Sequence, residues 1–290
     1  MKFRTPIPLP EYPFRIAPTD TLMLLGSCFT QHIGDFFENS RFKVQVNPFG
    51  TLFNPCSIAL ALNLLLQKEH FDEKYIYKHE PYYVSFAHNT TFSRTDVTEL
   101  KQLIDNQIEN SSDFLHQAQY LFLTLGTAYC YRFKERNLIV SNCHKIPNHQ
   151  FEKIRLSVEE IVALFEPILA IFRQEMPSLK VIFTVSPVRH LSDGFHENTL
   201  SKAMLHLSIE QLVQRFENTY YFPSYEIFQD DLRDYRFYDT DLCHPSPIAI
   251  QYVKECVAQT FLTAETQQWA EQNSKETLRR KHRKIMNNEQ

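Results

Sequence analysis

The sequence predicts an α/β fold, a doubly wound (flavodoxin-like) parallel sheet of about five strands with segments inserted over its carboxyl edge. Three observations carry that expectation. Short apolar, β-rich runs alternate with stretches of helical spacing, and strands separated by helices imply crossovers and a sheet covered on both faces. A chain of 290 residues, 43% of them hydrophobic with a net charge of only −4, can bury a substantial core and is not disordered. Finally, three of only five glycines (Gly26, Gly50 and Gly126) stand where a predicted strand gives way to a loop. Glycine there permits a sharp turn or a close backbone approach.

The elements follow in order. Thr21–Leu25 reads as a strand and about Thr30–Asn39 as a helix. Phe42–Val46 is a second strand, followed by a helix from Pro55 to Gln67, with Pro55 suited to a first turn. Asp96–Gln117 has helical spacing, Tyr120–Leu125 is a third strand, and Leu156–Arg173 is helical. Lys180–Val185, a helix over Glu197–Phe216, a short strand Thr219–Phe222 and a last helix Pro245–Phe261 complete the alternation. Two segments interrupt it: the aromatic stretch Phe71–Thr95, and Tyr129–Gln150, which holds a hairpin of Cys130–Phe133 with Leu138–Ser141. Both follow strands, so both are placed to cover the carboxyl edge, where such folds bind ligands. The alternative for each is plain surface decoration.

Residues 1–262 read as one domain and 263–290 as a basic helical or frayed tail, with Lys275, Arg279, Arg280, Lys281, Arg283 and Lys284 crowding its end. The richest apolar stretches, Ser57–Leu66 and Ile161–Phe172, are shorter than the roughly 18 residues a membrane span needs. Prolines and charges stand in Met1–Ala17 where a signal peptide has an apolar run. The expectation is a soluble, cytoplasmic protein. Mild acidity argues against a nucleic-acid surface. The six cysteines are irregularly spaced with no C-x-x-C pair, which indicates neither a disulfide framework nor a metal site, and no cofactor is expected.

Two short motifs carry chemistry. Leu24-Leu-Gly-Ser-Cys-Phe29 puts Ser27 at the carboxyl end of the first strand, just before a helix. That position lifts a hydroxyl to the sheet's rim and aims helix N–H groups at any negative charge formed there. The bland alternative is a serine that caps the helix. A nucleophilic serine needs a base and an orienting acid, and Asp241-Leu-Cys-His244 supplies both three residues apart, a spacing that shares one side of a helical turn. Here the alternative is a D-x-x-H that merely caps the last helix, and Pro245 is read as starting that helix and fixing His244. Cys28, beside Ser27, is the competing nucleophile, although adjacent side chains on a strand point oppositely. Ser186, Arg189 and His190 follow the fourth strand at the ligand edge and are the substrate-binding candidates.

Together these motifs resemble the serine esterases of the SGNH (GDSL-like) class, and most closely the GSCFA family placed in that class. The namesake motif reads Gly26-Ser-Cys-Phe-Thr30, with Thr30 where the family has alanine. Asn47-Pro-Phe-Gly-Thr-Leu-Phe-Asn-Pro55, Thr124-Leu-Gly-Thr-Ala128, Asn142-Cys-His-Lys145 and Thr184-Val-Ser-Pro-Val-Arg-His190 are similar to family stretches, as are Tyr221–Glu226, Leu232–Tyr238 and Asp241–Pro245. The resemblance covers about residues 15–260. It implies an SGNH-hydrolase-like fold in which Ser27 is the nucleophile, His244 the base and then acid, and Asp241 the orienting acid. It also implies oxyanion donors in the N–H groups of Ser27 and Gly50. The wider class carries G-x-N after the third strand, its Asn being a third donor, whereas this chain reads Gly126-Thr127-Ala128. Losing one such donor costs about 2.7–4 kcal/mol of transition-state stabilisation; either the enzyme is slower, or Thr127, Asn142 or His144 substitutes.

The function expected is a cofactor-free serine esterase that cleaves an acyl ester on a sugar or related small molecule. An acyltransferase with the same triad is one alternative. A non-catalytic ligand-binding protein on an esterase fold is the other.

Overall fold

The computed structural model describes residues 4–67 and 71–288, with side chains through Lys281. Of the basic residues noted in the tail, the side chains of Arg283 and Lys284 lie outside the described residues. Strand β1 (Thr21–Gly26) leads to helix α1 (Cys28–Asn39), and β2 (Lys43–Val46) to α2 (Pro55–Gln67). A hairpin of β3 (Ile76–His79) and β4 (Tyr82–Ser85) precedes α3 (Val97–His116). After β5 (Tyr120–Leu125) come β6 (Tyr129–Phe133), β7 (Leu138–Val140) and β8 (Phe151–Arg155), then α4 (Val158–Glu175) and β9 (Lys180–Val185). Helix α5 (Phe195–Arg215), β10 (Thr219–Tyr221), the short α6 (Ser224–Glu226), α7 (Pro247–Phe261) and α8 (Ala264–Asn288) complete the chain.

Five strands form the central sheet in the order β10-β9-β5-β1-β2, every neighbouring pair parallel. Because strand side chains alternate between faces, one chain segment feeds two cores. Met23, Leu25, Leu121, Leu123, Val181 and Phe183 pack with Ile58 and Leu62 of α2, Ile104 of α3, Phe165 of α4 and Leu205 of α5. Leu22, Leu24, Phe122 and Ile182 face the other way, onto Phe29, Ile33 and Phe37 of α1 and Val253, Val257 and Phe261 of α7. The expected sheet of parallel strands flanked by helices is therefore present. No helix among the described residues is long and apolar enough to cross a membrane.

Local chemistry sets the helix ends. The Asp96 carboxylate accepts the Glu99 N–H at 2.9 Å to start α3, and Ser157 with Glu160 forms a reciprocal capping box on α4. The last helix of the sheet domain starts two residues later than expected. Ser246 is its N-cap and Pro247 its first residue, while Pro245 sits in an isolated antiparallel bridge with Tyr238. Either proline suits a first turn, but only Ser246 supplies a capping hydroxyl, which accepts the Ala249 N–H.

The inserted segments hold more structure than a single hairpin. The β6–β7 pairing is as expected, but β8 joins it to make a three-stranded antiparallel sheet, β7-β6-β8. Glu152 and Lys153 are exposed on β8, so apolar patterning was a weak signal there. Phe86, beyond β4, packs against Phe133 and Phe151 of this small sheet, which gives the aromatic stretch a structural use. The tail is also less solvated than its composition suggests. Trp269 meets Phe42 edge to face at 5.1 Å, Ala270 is buried in the α1–α7 core, and Arg41 pairs with Glu276 at 2.9 Å.

The end of β1 is the tightest point of the sheet. Gly26 has φ +147°, and a Cβ there would lie 2.3 Å from the Thr124 carbonyl oxygen and 2.8 Å from Thr30 Oγ1. Backbone, not a flexible side chain, blocks that space. Gly26→Ala is predicted to destabilise the fold by at least about 2 kcal/mol, read as a lowered urea midpoint with an unchanged slope; an unaltered midpoint would show that the junction relaxes freely.

Candidate active site

The first candidate residue follows directly from that junction. Ser27 is the N-cap of α1, with extended backbone, and is 1% exposed. Its hydroxyl makes no capping hydrogen bond and no other hydrogen bond among the described residues. Asp96, Ser157 and Ser246 all use their side chains to cap, so Ser27 departs from the ordinary behaviour of a cap serine. A buried, unpaired hydroxyl is unfavourable, and Ser27 shares that state with the hydroxyls of Thr30, Ser40, Ser141 and Thr260.

Asp241 and His244 meet as the spacing requires, although on a loop and not on a helical turn. Leu242 adopts φ +56°, which folds the loop back so that one Asp241 oxygen accepts the N–H groups of both Cys243 and His244 at 2.9 Å. Its other oxygen lies 2.5 Å from His244 Nδ1. The His244 and Cys243 N–H groups and the ring hold the Asp241 carboxyl down to about 2, so it is ionised at any working pH. That fixes Nδ1 as the protonated nitrogen and leaves Nε2 as a proton acceptor. Both side chains are about half exposed.

Gly126 and His190 bring the third strand end and the fourth together beside Ser27. A Cβ on Gly126 would sit in ordinary contact with Ser27 Cβ at 3.4 Å and His190 Nε2 at 3.5 Å but only 2.9 Å from the Phe53 carbonyl oxygen, so it is the Phe53 backbone that leaves no room for a side chain here. The His190 ring meets Phe53 edge-on at 6.0 Å, and the His190 backbone N–H donates to Asn198 Oδ1 at 3.0 Å. Burial, reinforced by the charge of Lys202, lowers its imidazole to about 4, so it is neutral near pH 7. Cys28 is half-buried, and burial raises its thiol above the ordinary value. A thiol kept protonated is a poor nucleophile.

The expected oxyanion donors are engaged within the chain. The Ser27 N–H donates to the Thr124 carbonyl at 3.2 Å and the Gly50 N–H to the Asn47 carbonyl at 2.7 Å. Thr127 directs its N–H to the Phe53 carbonyl at 3.0 Å and its hydroxyl to Ser201 at 3.1 Å. Asn142 accepts the His144 N–H within its own turn, and His144 Nε2 bonds the Ser85 carbonyl at 2.7 Å, beside Phe86. The structure therefore brings neither Asn142 nor His144 into contact with Ser27.

The substrate-binding candidates divide similarly. Ser186 is buried, its N–H on the Leu125 carbonyl, and offers no open side chain. Arg189 instead lines a groove of about 380 Å³ with Tyr225, Gln229, Arg233, Tyr235 and Leu242. Its carbonyl accepts the Cys243 thiol at 2.8 Å, so the groove and the Asp241–His244 loop are one continuous surface.

Sequence reasoning passed over Lys202. It is 2% exposed, and its ammonium donates to the carbonyls of Gly126 and Ser186, both at 2.6 Å. The signal was present. Asn198, Ser201, Lys202, Leu205, Ile209 and Leu212 share the buried face of α5, and a lysine on such a stripe is out of place. Asn47 was also quoted only as part of a motif, yet its side chain accepts the Gly26 N–H at 2.9 Å. Among the described residues no group of three or more His, Cys, Asp or Glu side chains is arranged to hold a metal ion.

Comparison with known proteins gives one match and one negative. The model of the GSCFA family matches residues 21–257, a range that includes Ser27, Gly126, Lys202, Asp241 and His244. No curated protein matches the chain.

The state of His190 is directly measurable. Its ring carbon-bound proton resonance, assigned by comparison with His190→Gln, is predicted to stay at the neutral position from pH 8 to about 5.5 and to move only as the pH approaches about 4. A midpoint near 6.5 would show that the ring is solvated.

Proposed function

We propose that this chain, which belongs to the GSCFA family, is a serine esterase of the SGNH type acting through an acyl-enzyme. One observation carries the reading: the buried Ser27 hydroxyl at the start of α1 neither caps its helix nor bonds anything else, while an Asp241–His244 pair of triad geometry stands on a loop joined to the same strand ends through Arg189 and His190. The order β10-β9-β5-β1-β2 with helices against both faces supports the doubly wound, SGNH-like arrangement that the proposal includes.

In the proposed reaction Ser27 Oγ attacks the acyl carbon and its proton passes to His244 Nε2. The ionised Asp241 carboxylate stabilises the imidazolium. Collapse of the tetrahedral species expels the alcohol, which takes the proton from His244. Water then enters, gives its proton to His244 and attacks the acyl-enzyme, and the acid leaves as the proton returns to Ser27. Ser27 and His244 are not bonded to each other in the resting chain; catalytic hydrogen bonds commonly close only around a substrate. The groove lined by Arg189, Arg233 and Tyr235 offers room for the alcohol part of a small-molecule or sugar ester. Six cysteines, all free, fit the reducing cytoplasm in which the proposal places the enzyme. Replacing water by an acceptor alcohol turns the same steps into acyl transfer, and acylated acceptor in a product assay would mark that alternative.

Intact-mass analysis after treatment with a fluorophosphonate tests the nucleophile. Wild type is predicted to gain one adduct, Ser27→Ala none, and Cys28→Ala the same adduct at the wild-type rate. His244→Ala is predicted to label at least about 100-fold more slowly. An adduct that persists in Ser27→Ala, or folded wild type with no adduct, would overturn the proposal and leave ligand binding as the reading to pursue.

A further inference from the structure

Lys202 presents a buried cation with no carboxylate to neutralise it. Its ammonium is held only by two backbone carbonyls, Gly126 and Ser186, each at 2.6 Å. No acidic side chain forms an ion pair with it among the described residues, and the groups that feel its charge are the thiols of Cys28 and Cys243 and the imidazoles of His190 and His206. These groups lie on α1 (Cys28), the Asp241–His244 loop (Cys243), the β9–α5 connection (His190) and its own helix (His206). Burying an ammonium without a counter-charge is costly. A cation fixed in this way can stabilise a negative charge that forms within its reach.

Ser27 stands at the same edge: its neighbour Cys28 is among the groups that feel the Lys202 charge. Gly126, whose carbonyl Lys202 holds, lies beside Ser27, close enough that a Cβ added to it would stand 3.4 Å from Ser27 Cβ. The class's third oxyanion donor is absent, its position being Ala128, and the N–H groups of Ser27, Gly50 and Thr127 are already directed at chain carbonyls. We infer that Lys202 is an electrostatic positioning residue for Ser27: its protonated ammonium, fixed on the ends of β5 and β9, favours the negative charge that develops when Ser27 attacks, and so takes over much of the work of the missing asparagine. The inference rests on the proposed esterase reading. It acts through the Gly126 and Ser186 carbonyls and across space, without touching the substrate.

This role has a signature that simple packing lacks. Burial lowers the Lys202 ammonium to about 7, so the charge is present below neutral pH and lost as pH rises through the neutral range. The nearby thiols of Cys28 and Cys243 are both raised from their ordinary values and therefore ionise well above that range. Serine activation should thus decline through the neutral range before either thiol titrates.

The test is the rate of Ser27 labelling by a fluorophosphonate from pH 5.5 to 9.5, on wild type, Lys202→Met and Lys202→Arg, with circular dichroism to confirm folding. The expected wild-type profile rises and then falls across the neutral range. Lys202→Met should label about 10–100-fold more slowly at pH 6.5, as expected for one lost charge at short range in an effective dielectric of about 20, and should lose the falling limb. Lys202→Arg, which stays charged, should keep a higher rate than Lys202→Met up to pH 9.5. Wild type that labels with a flat or rising profile to pH 9.5, or Lys202→Met that matches wild type, would overturn this inference and leave the esterase reading intact. If wild type never labels at Ser27, both fall. Should Lys202→Met not fold, the wild-type profile decides alone.

Discussion

The position of Gly26 is the constraint on which the rest of this site depends. Three strand ends converge on it. Its N–H is taken by the Asn47 side chain beyond β2, its carbonyl accepts the Leu52 N–H, and its α-carbon lies so close to the Thr124 carbonyl of β5 that no Cβ fits. The next residue, Ser27, is thereby delivered to one place at the carboxyl edge with its N–H on that same carbonyl. A side chain at this position would meet the Thr124 carbonyl oxygen at 2.3 Å, so only glycine fits between β1 and β5 there.

A second tie closes the other half of the edge. Lys202 reaches from α5 to the ends of β5 and β9, and the adjoining His190 and Arg189 carry that rigidity to the Asp241–His244 loop through the Cys243 thiol. The site is therefore assembled from backbone carbonyls and a few buried polar groups, and its walls are set before any ligand enters. Buried polar groups in that number are unfavourable for stability.

Much of the architecture was legible in the sequence because its signals are local. β5 and β9 begin and end where their apolar runs do, and α2 spans its expected Pro55–Gln67. The helical stretch expected over Asp96–Gln117 is α3, with Asp96 as its N-cap. What failed did so for identifiable reasons. β8 escaped notice because its side chains are largely exposed, so it has little apolar patterning to read. Two prolines, Pro245 and Pro247, compete for the start of α7, and a hydrogen bond decides between them. The tail looked solvated because charge dominates its composition, whereas a few residues, Trp269 and Ala270 among them, dock its first turns.

The sequence by itself determined the alternation of strands and helices, the candidate serine, and the aspartate–histidine pair, because each depends on residues within a few positions of one another. Only the tertiary structure decided which polar groups share a space. That Gly126, His190 and Ser27 touch, that the expected N–H donors face carbonyls, and that a lysine 76 residues from Gly126 holds its carbonyl are long-range facts. They arise from packing two helical layers onto one sheet, and spacing along the chain carries no record of distances across it.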